Sequence, residues 1–98
     1  MTSKEALRRL SRNENKLRGF HVQHIAVFGS TARDQANEHS DVDVLVEFVP
    51  EAPVGLFVFV EVLDFLGDVL GTRIDLATPG ALRPEMRGQI LAEARRAF

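Results

Sequence analysis

Apolar positions along the chain switch repeatedly between helical and strand spacing, and the switches divide it into alternating elements. Ala6, Leu7, Leu10 and Leu17 form a thin helical stripe over residues 3–18, and Thr2 followed by Glu5 has the spacing of a capping box. A helix is predicted there, with Gly19 as its stop. "HVQHIAVF" (21–28) is rich in β-branched residues and runs into Gly29, which predicts a strand over 22–28. Residues 30–36 have room for a short helix beginning at the Gly-Ser pair, and 37–40 are polar and turn-like. "DVDVLVEF" (41–48) alternates in its first half and is apolar in its second, the pattern of a central strand.

The prolines and glycine of 49–55 mark a loop. "LFVFVEVLDFLGDVL" (56–70) has strand-like composition, but Glu61, Asp64 and Asp68 fall three and four apart, on one face of a helix with a wide apolar side. It is too short and too acidic to span a membrane. Gly71 ends it, and "RIDLA" (73–77) predicts a third strand. After the loop "TPGALRP", Pro84 is placed for the first turn of a last helix, 84–97, whose buried stripe would be Met86, Ile90, Leu91 and Ala94. The expected fold is α/β (α+β), a small mixed sheet of about three or more strands flanked by helices. Residues 1–98 are read as one domain, an N-terminal helix (1–19) and a core (20–98).

Composition adds exclusions. An apolar fraction of 45% and a charged fraction of 27% belong to a globular chain rather than a disordered one. The absence of cysteine rules out disulfides and thiolate metal sites and suits a cytoplasmic protein, and "MTSKEALRRL" lacks the apolar core of a signal peptide. A net charge of −2 argues against direct nucleic-acid binding. Basic residues do cluster at 8–18 and 83–96, as solvated helix faces or as contacts to an acidic partner or nucleotide. His21 and His24, three apart in a predicted strand, face opposite ways and make no joint metal site; His39 reads as a surface-turn residue.

The candidate chemistry lies between 29 and 75. A glycine after a strand lets backbone approach an anion closely, Ser30 adds a hydroxyl, and Arg33 follows within one helical turn, a plausible phosphate cradle or a plain turn. Asp41 and Asp43, at i and i+2, share one strand face roughly 7 Å apart. There they either converge on one or two hard cations or sit at a solvent-exposed strand end. Mg²⁺ takes a couple of carboxylates and completes its shell with water and phosphates. Asp75, inside an apolar strand, is a costly place for an unpaired charge, so it either joins that site or pairs with Arg73 or Arg83.

"GSTARDQANEHSDVDVLVEF" resembles the signature of the DNA polymerase β-like nucleotidyltransferases: Gly-Ser, ten residues (Thr31 to Ser40), then Asp-x-Asp. The chain is most similar to the minimal nucleotidyltransferases, which are often antitoxins paired with HEPN-domain toxins. The likeness continues through "GLFVFVEVLDFLGDVLGTRIDLAT" and "ALRPEMRGQILAEARRAF", covering roughly residues 20–98. It implies catalytic and metal-binding roles for Asp41, Asp43 and Asp75 with two Mg²⁺ ions, and nucleotide binding by Gly29, Ser30 and Arg33 with ATP as donor. One departure is Asp34, where the family usually has glycine directly after the arginine. A carboxylate aimed into the cradle there would repel a triphosphate.

The resemblance implies an adenylyltransferase that attaches AMP to a hydroxyl, a tyrosine by analogy, of a HEPN toxin. This chain contains no tyrosine of its own, so the acceptor is expected on another chain in a homo- or hetero-oligomer. Two alternatives stand beside it: an antitoxin acting by contact alone, and a transferase acting on a small molecule such as an aminoglycoside.

Overall fold

The computed structural model describes residues 1–37 and 39–98; the expected turn at 37–40 includes Glu38, which lies outside the described residues. Helices α1 (Ser3–Arg12) and α2 (Glu14–Gly19) lead into β1 (Val22–Phe28), a single-turn α3 (Gly29–Ala32) and β2 (Val42–Phe48). There follow α4 (Leu56–Leu70), β3 (Ile74–Ala77), a 3₁₀ turn (Pro79–Ala81), α5 (Pro84–Glu93) and a two-residue β4 (Arg95–Arg96). The strands form one mixed sheet in the order β3-β2-β1-β4. β1 runs antiparallel to both β2 and β4, whereas β2 and β3 are parallel, with α4 as the crossover.

Strand alternation divides the sheet into two unlike faces. Val22, Ile25 and Val27 of β1 and Val42, Val44 and Val46 of β2 meet Ala6, Leu10 and Leu17 from the first two helices and Val62, Leu66 and Leu70 from α4, forming the main core. The opposite side chains of β2 are Asp43, Leu45 and Glu47. Ala26, Leu45 and Ile90 are buried outside the main cluster, and a cleft of about 210 Å³ there is lined by residues including His24, Leu45, Glu47, Leu91 and Arg96.

Several boundaries differ from the sequence reading. The helix expected over 3–18 breaks at Asn13, whose side-chain amide donates to the Arg9 carbonyl (2.8 Å), a local bond that competes with helix continuation. Thr2 does accept from the Glu5 amide, at 3.1 Å, but the Glu5 carboxylate pairs with Arg8 and Arg9 instead of closing the capping box. The helix expected over 30–36 is one turn long, because the chain reverses at Asp34 with φ +56°. The last helix stops at Glu93, since Ala94 is extended and the next residues pair with β1. Ala97 donates to Ile25, and Ile25 to Phe98. Of its expected buried stripe only Ile90 is buried, while Met86 and Leu91 are exposed, because the shortened α5 sits outside the main core. On α4 the stripe of Val62, Leu66 and Leu70 enters the core, and Leu56 and Phe57 in its first turn remain in solvent.

The basic N-terminal residues serve the fold. Arg9 donates to the Leu70 carbonyl at the end of α4 (3.1 Å), Arg18 pairs with Glu14 (2.7 Å), and Lys16 and Arg18 lie over the rings of Phe65 and Phe98.

Candidate active site

The parallel register sets Asp43 of β2 directly beside Asp75 of β3. β3 is an edge strand and Asp75 is exposed, so the burial expected of it does not occur. Arg73, one proposed salt-bridge partner, points to Asp41 instead (Nε to Oδ1, 3.9 Å). Asp43 is the half-sheltered member of the pair. Its burial, the charge of Asp75, a hydrogen bond shared with that carboxyl, and the charge of Asp41 raise it from 3.8 to about 6, against a smaller pull from Arg33.

Gly29 closes the site from the β1 side. Phe28 is the register partner of Asp43, and Gly29 follows with φ +67°. A Cβ built there would overlap Asp43 Oδ2, so both the backbone conformation and the space demand glycine. Ser30 follows, and the buried Thr31 and Ala32 anchor the turn from beneath. The Thr31 hydroxyl has no hydrogen-bond partner among the described residues. Arg33 Nη1 reaches Glu93 Oε2 (2.9 Å), and its Nε donates to Gln35 Oε1 (3.2 Å).

The six residues singled out by sequence therefore gather around one end of β1, β2 and β3, but unequally. Asp43, Asp75 and Gly29 converge, and Arg33 and Asp41 are near enough for their charges to act on Asp43. Asp41 precedes β2 and is turned toward Arg73. Among the described residues no three His, Cys, Asp or Glu side chains form a ready metal cage. The pair nevertheless fits a hard divalent cation, which would relieve the repulsion that raises Asp43 and take further oxygens from phosphate and water. His24 lies against Arg96 (2.7 Å), apart from the aspartates, and the His39 amide donates to Asn37 Oδ1 (2.8 Å) in the turn before Asp41.

Asp34 does not aim into the cradle. Its carboxylate accepts from the Ser3 amide (2.7 Å) and hydroxyl (3.2 Å) at the start of α1, with Arg95 at 3.8 Å. The Ser3 bonds, with the Arg95 charge adding, hold it below the usual carboxylate range. Its positive φ is a conformation that favours glycine, the residue that the resemblance leads one to expect there. Glu93 escaped the sequence reading altogether. Its other carboxylate oxygen accepts from the Gly29 amide (3.1 Å), and no local pattern ties residues that far apart in the chain.

Comparison with known proteins agrees with this geometry. The sequence model of the nucleotidyltransferase domain family matches residues 3–97, and the chain belongs to that family. A Methanocaldococcus jannaschii protein provisionally named a protein adenylyltransferase is 47% identical over 65% of this chain, and the match spans 63% of that relative's length. Protein adenylyltransferase MntA of Thermococcus cleftensis is 42% identical over 76% of this chain and 73% of its own. Among solved structures, one described as a minimal nucleotidyltransferase superposes with a TM-score of 0.80 at 30% identity, covering 97% of this chain and 95% of that one. A tri-AMPylated Shewanella oneidensis HEPN toxin in complex with MNT antitoxin matches in fold, with a TM-score of 0.57 at 19% identity over 89% of this chain and 70% of the other.

Proposed function

We propose that this protein is a Mg²⁺-dependent adenylyltransferase that moves AMP from ATP to a hydroxyl group, a tyrosine by preference, on a partner HEPN toxin, and thereby acts as its antitoxin. The observation that carries the chemistry is the Asp43–Asp75 pair in register, backed by a glycine that both its backbone conformation and the space beside Asp43 favour. The acceptor oxygen forms a bond to the α-phosphorus, the bond to the bridging oxygen of pyrophosphate breaks, and the hydroxyl proton leaves. Asp43 and Asp75, with Asp41 beside them, would hold the cation, which when bound supplies positive charge to the phosphate oxygens. Asp75, exposed on the edge strand, is the carboxylate an incoming acceptor reaches first and the one suited to take its proton. Ser30 and Arg33 would grip the terminal phosphates, and Gly29, its amide held by Glu93, would let them approach the backbone closely. The names of the relatives support protein as the acceptor and AMP as the transferred group.

The test is the intact mass of the protein that co-purifies with this chain, before and after incubation with Mg·ATP, beside an Asp41→Asn/Asp43→Asn variant. Addition of one or more AMP units by the parent alone supports the proposal. A bound partner that enters unmodified and keeps its mass points instead to inhibition by contact.

A further inference from the structure

Glu93 is the last residue of α5, and its two carboxylate oxygens do different work. One accepts from the backbone of Gly29, where β1 turns into α3 (3.1 Å), and the other from the guanidinium of Arg33 at the end of the same turn (2.9 Å). The first is a backbone-to-side-chain bond just beyond the β1–β4 ladder, in which Ala26 lies opposite Arg96 and Val27 opposite Arg95. The Gly29 amide thus points to the α5 side, away from β2 and the aspartates. The Glu93 side chain is 20% exposed and that of Arg33 45%, so the carboxylate is the anchored partner and the arginine the one that extends into solvent.

We infer that Glu93 is a positioning residue for the nucleotide site, fixing Arg33 and the Gly29 peptide as one unit before a triphosphate arrives. A free arginine would lose side-chain freedom on gripping phosphate, whereas one already held by a short charge-assisted bond has lost part of it. The Gly29 bond sets the peptide whose α-carbon lies against Asp43, so one carboxylate indexes the phosphate grip to the metal-binding side chain. This inference rests on the nucleotidyl-transfer reading and adds to it a residue outside the Gly-Ser and aspartate motifs.

The test measures binding of Mg·AMP-PNP to the full chain by calorimetry, for the parent, Glu93→Gln, Arg33→Ala and the double variant, with thermal unfolding of each. Glu93→Gln retains an oxygen for Gly29 and nearly the same shape, so it keeps the fold, but loses the ion pair. Affinity is expected to fall by about ten-fold, and the same substitution made on Arg33→Ala to have no further effect. A general structural role would lower affinity in both backgrounds alike and overturns the inference. Tighter binding by Glu93→Gln also overturns it, because the carboxylate would then be withholding Arg33. A parent that binds while its variants match it overturns this inference alone; a parent that binds no Mg·AMP-PNP overturns the nucleotidyl-transfer reading along with it.

Discussion

Asp43 and Asp75 stand side by side across the parallel ladder of β2 and β3, and the strain between their charges is borne by Asp43, the more sheltered of the two. Placing like charges together weakens a fold, a cost that a bound cation would relieve.

The pH dependence of stability follows from Asp43. Between about 4 and about 6 the folded protein holds a proton on Asp43 that the unfolded chain releases. Its contribution is therefore full below about 4 and lost as pH rises toward 6, so stability falls through this window. Asp43→Asn removes that slope and stabilises the protein above pH 6 by about 1 kcal/mol after allowing for solvent screening, a rise in Tm of roughly 4–8 °C. Thermal unfolding of both proteins from pH 4 to 8 checks it; parallel curves would contradict it. On the proposed function, Mg²⁺ binding by the parent is expected to weaken as pH drops below about 6, where the ion competes with the proton, and calorimetric titration across that range measures it.

Gly29→Ala is predicted to destabilise the fold by at least about 1–2 kcal/mol, since it forces a side chain into the left-handed region and against Asp43 Oδ2. Combining it with Asp43→Ala removes the overlap but not the backbone strain. Gly29→Ala is therefore expected to cost less in the Asp43→Ala background than in the parent. Denaturant melts of the four proteins supply the cycle.

Thr31→Val is expected to stabilise the protein by about 1 kcal/mol, because the buried hydroxyl of Thr31 has no partner among the described residues and valine fills the same shape. A shift in the urea midpoint without a change in slope measures this. A loss of stability would show that the hydroxyl bonds an ordered water.

At Asp34 two properties can be separated. Asparagine tolerates the positive φ and retains an acceptor for Ser3, glycine satisfies the φ alone, and alanine provides neither. Thermal stability should therefore rank alanine lowest and the other two above it. Because the carboxylate faces Ser3 and Arg95, Asp34→Gly is expected to leave the Kd for Mg·ATP unchanged; a marked gain in affinity would mean that its charge reaches the nucleotide.

Periodicity made the main elements legible. β1 and α4 occur over the predicted residues, and β2 and β3 within one residue, because their apolar positions face a core. Helix ends were not legible where a single distant or sideways bond decides them. The side chain of Asn13 interrupts the first helix, and pairing with β1 draws residues 95–96 out of the last one. The motif's fixed spacing, a strand, a turn and a neighbouring strand, picked out Gly29 and Asp43, and Asp75 stood out as a lone carboxylate in an apolar run; the three lie together in the fold. It could not show that β3 lies at the edge, that Asp41 turns to Arg73, or that Glu93 closes the turn, because each depends on which strands become neighbours.

The bond between Gly29 and Glu93 also orders events in time. A chain made from its N-terminus has the Gly-Ser turn and the strands bearing Asp43 and Asp75 well before residue 93 is added. The turn then lacks the carboxylate that fixes it, so a partly synthesised chain can build its core around β1, β2 and α4 while its phosphate grip stays loose. On the proposed function, competence for nucleotidyl transfer would emerge last, with the strand that seals the sheet.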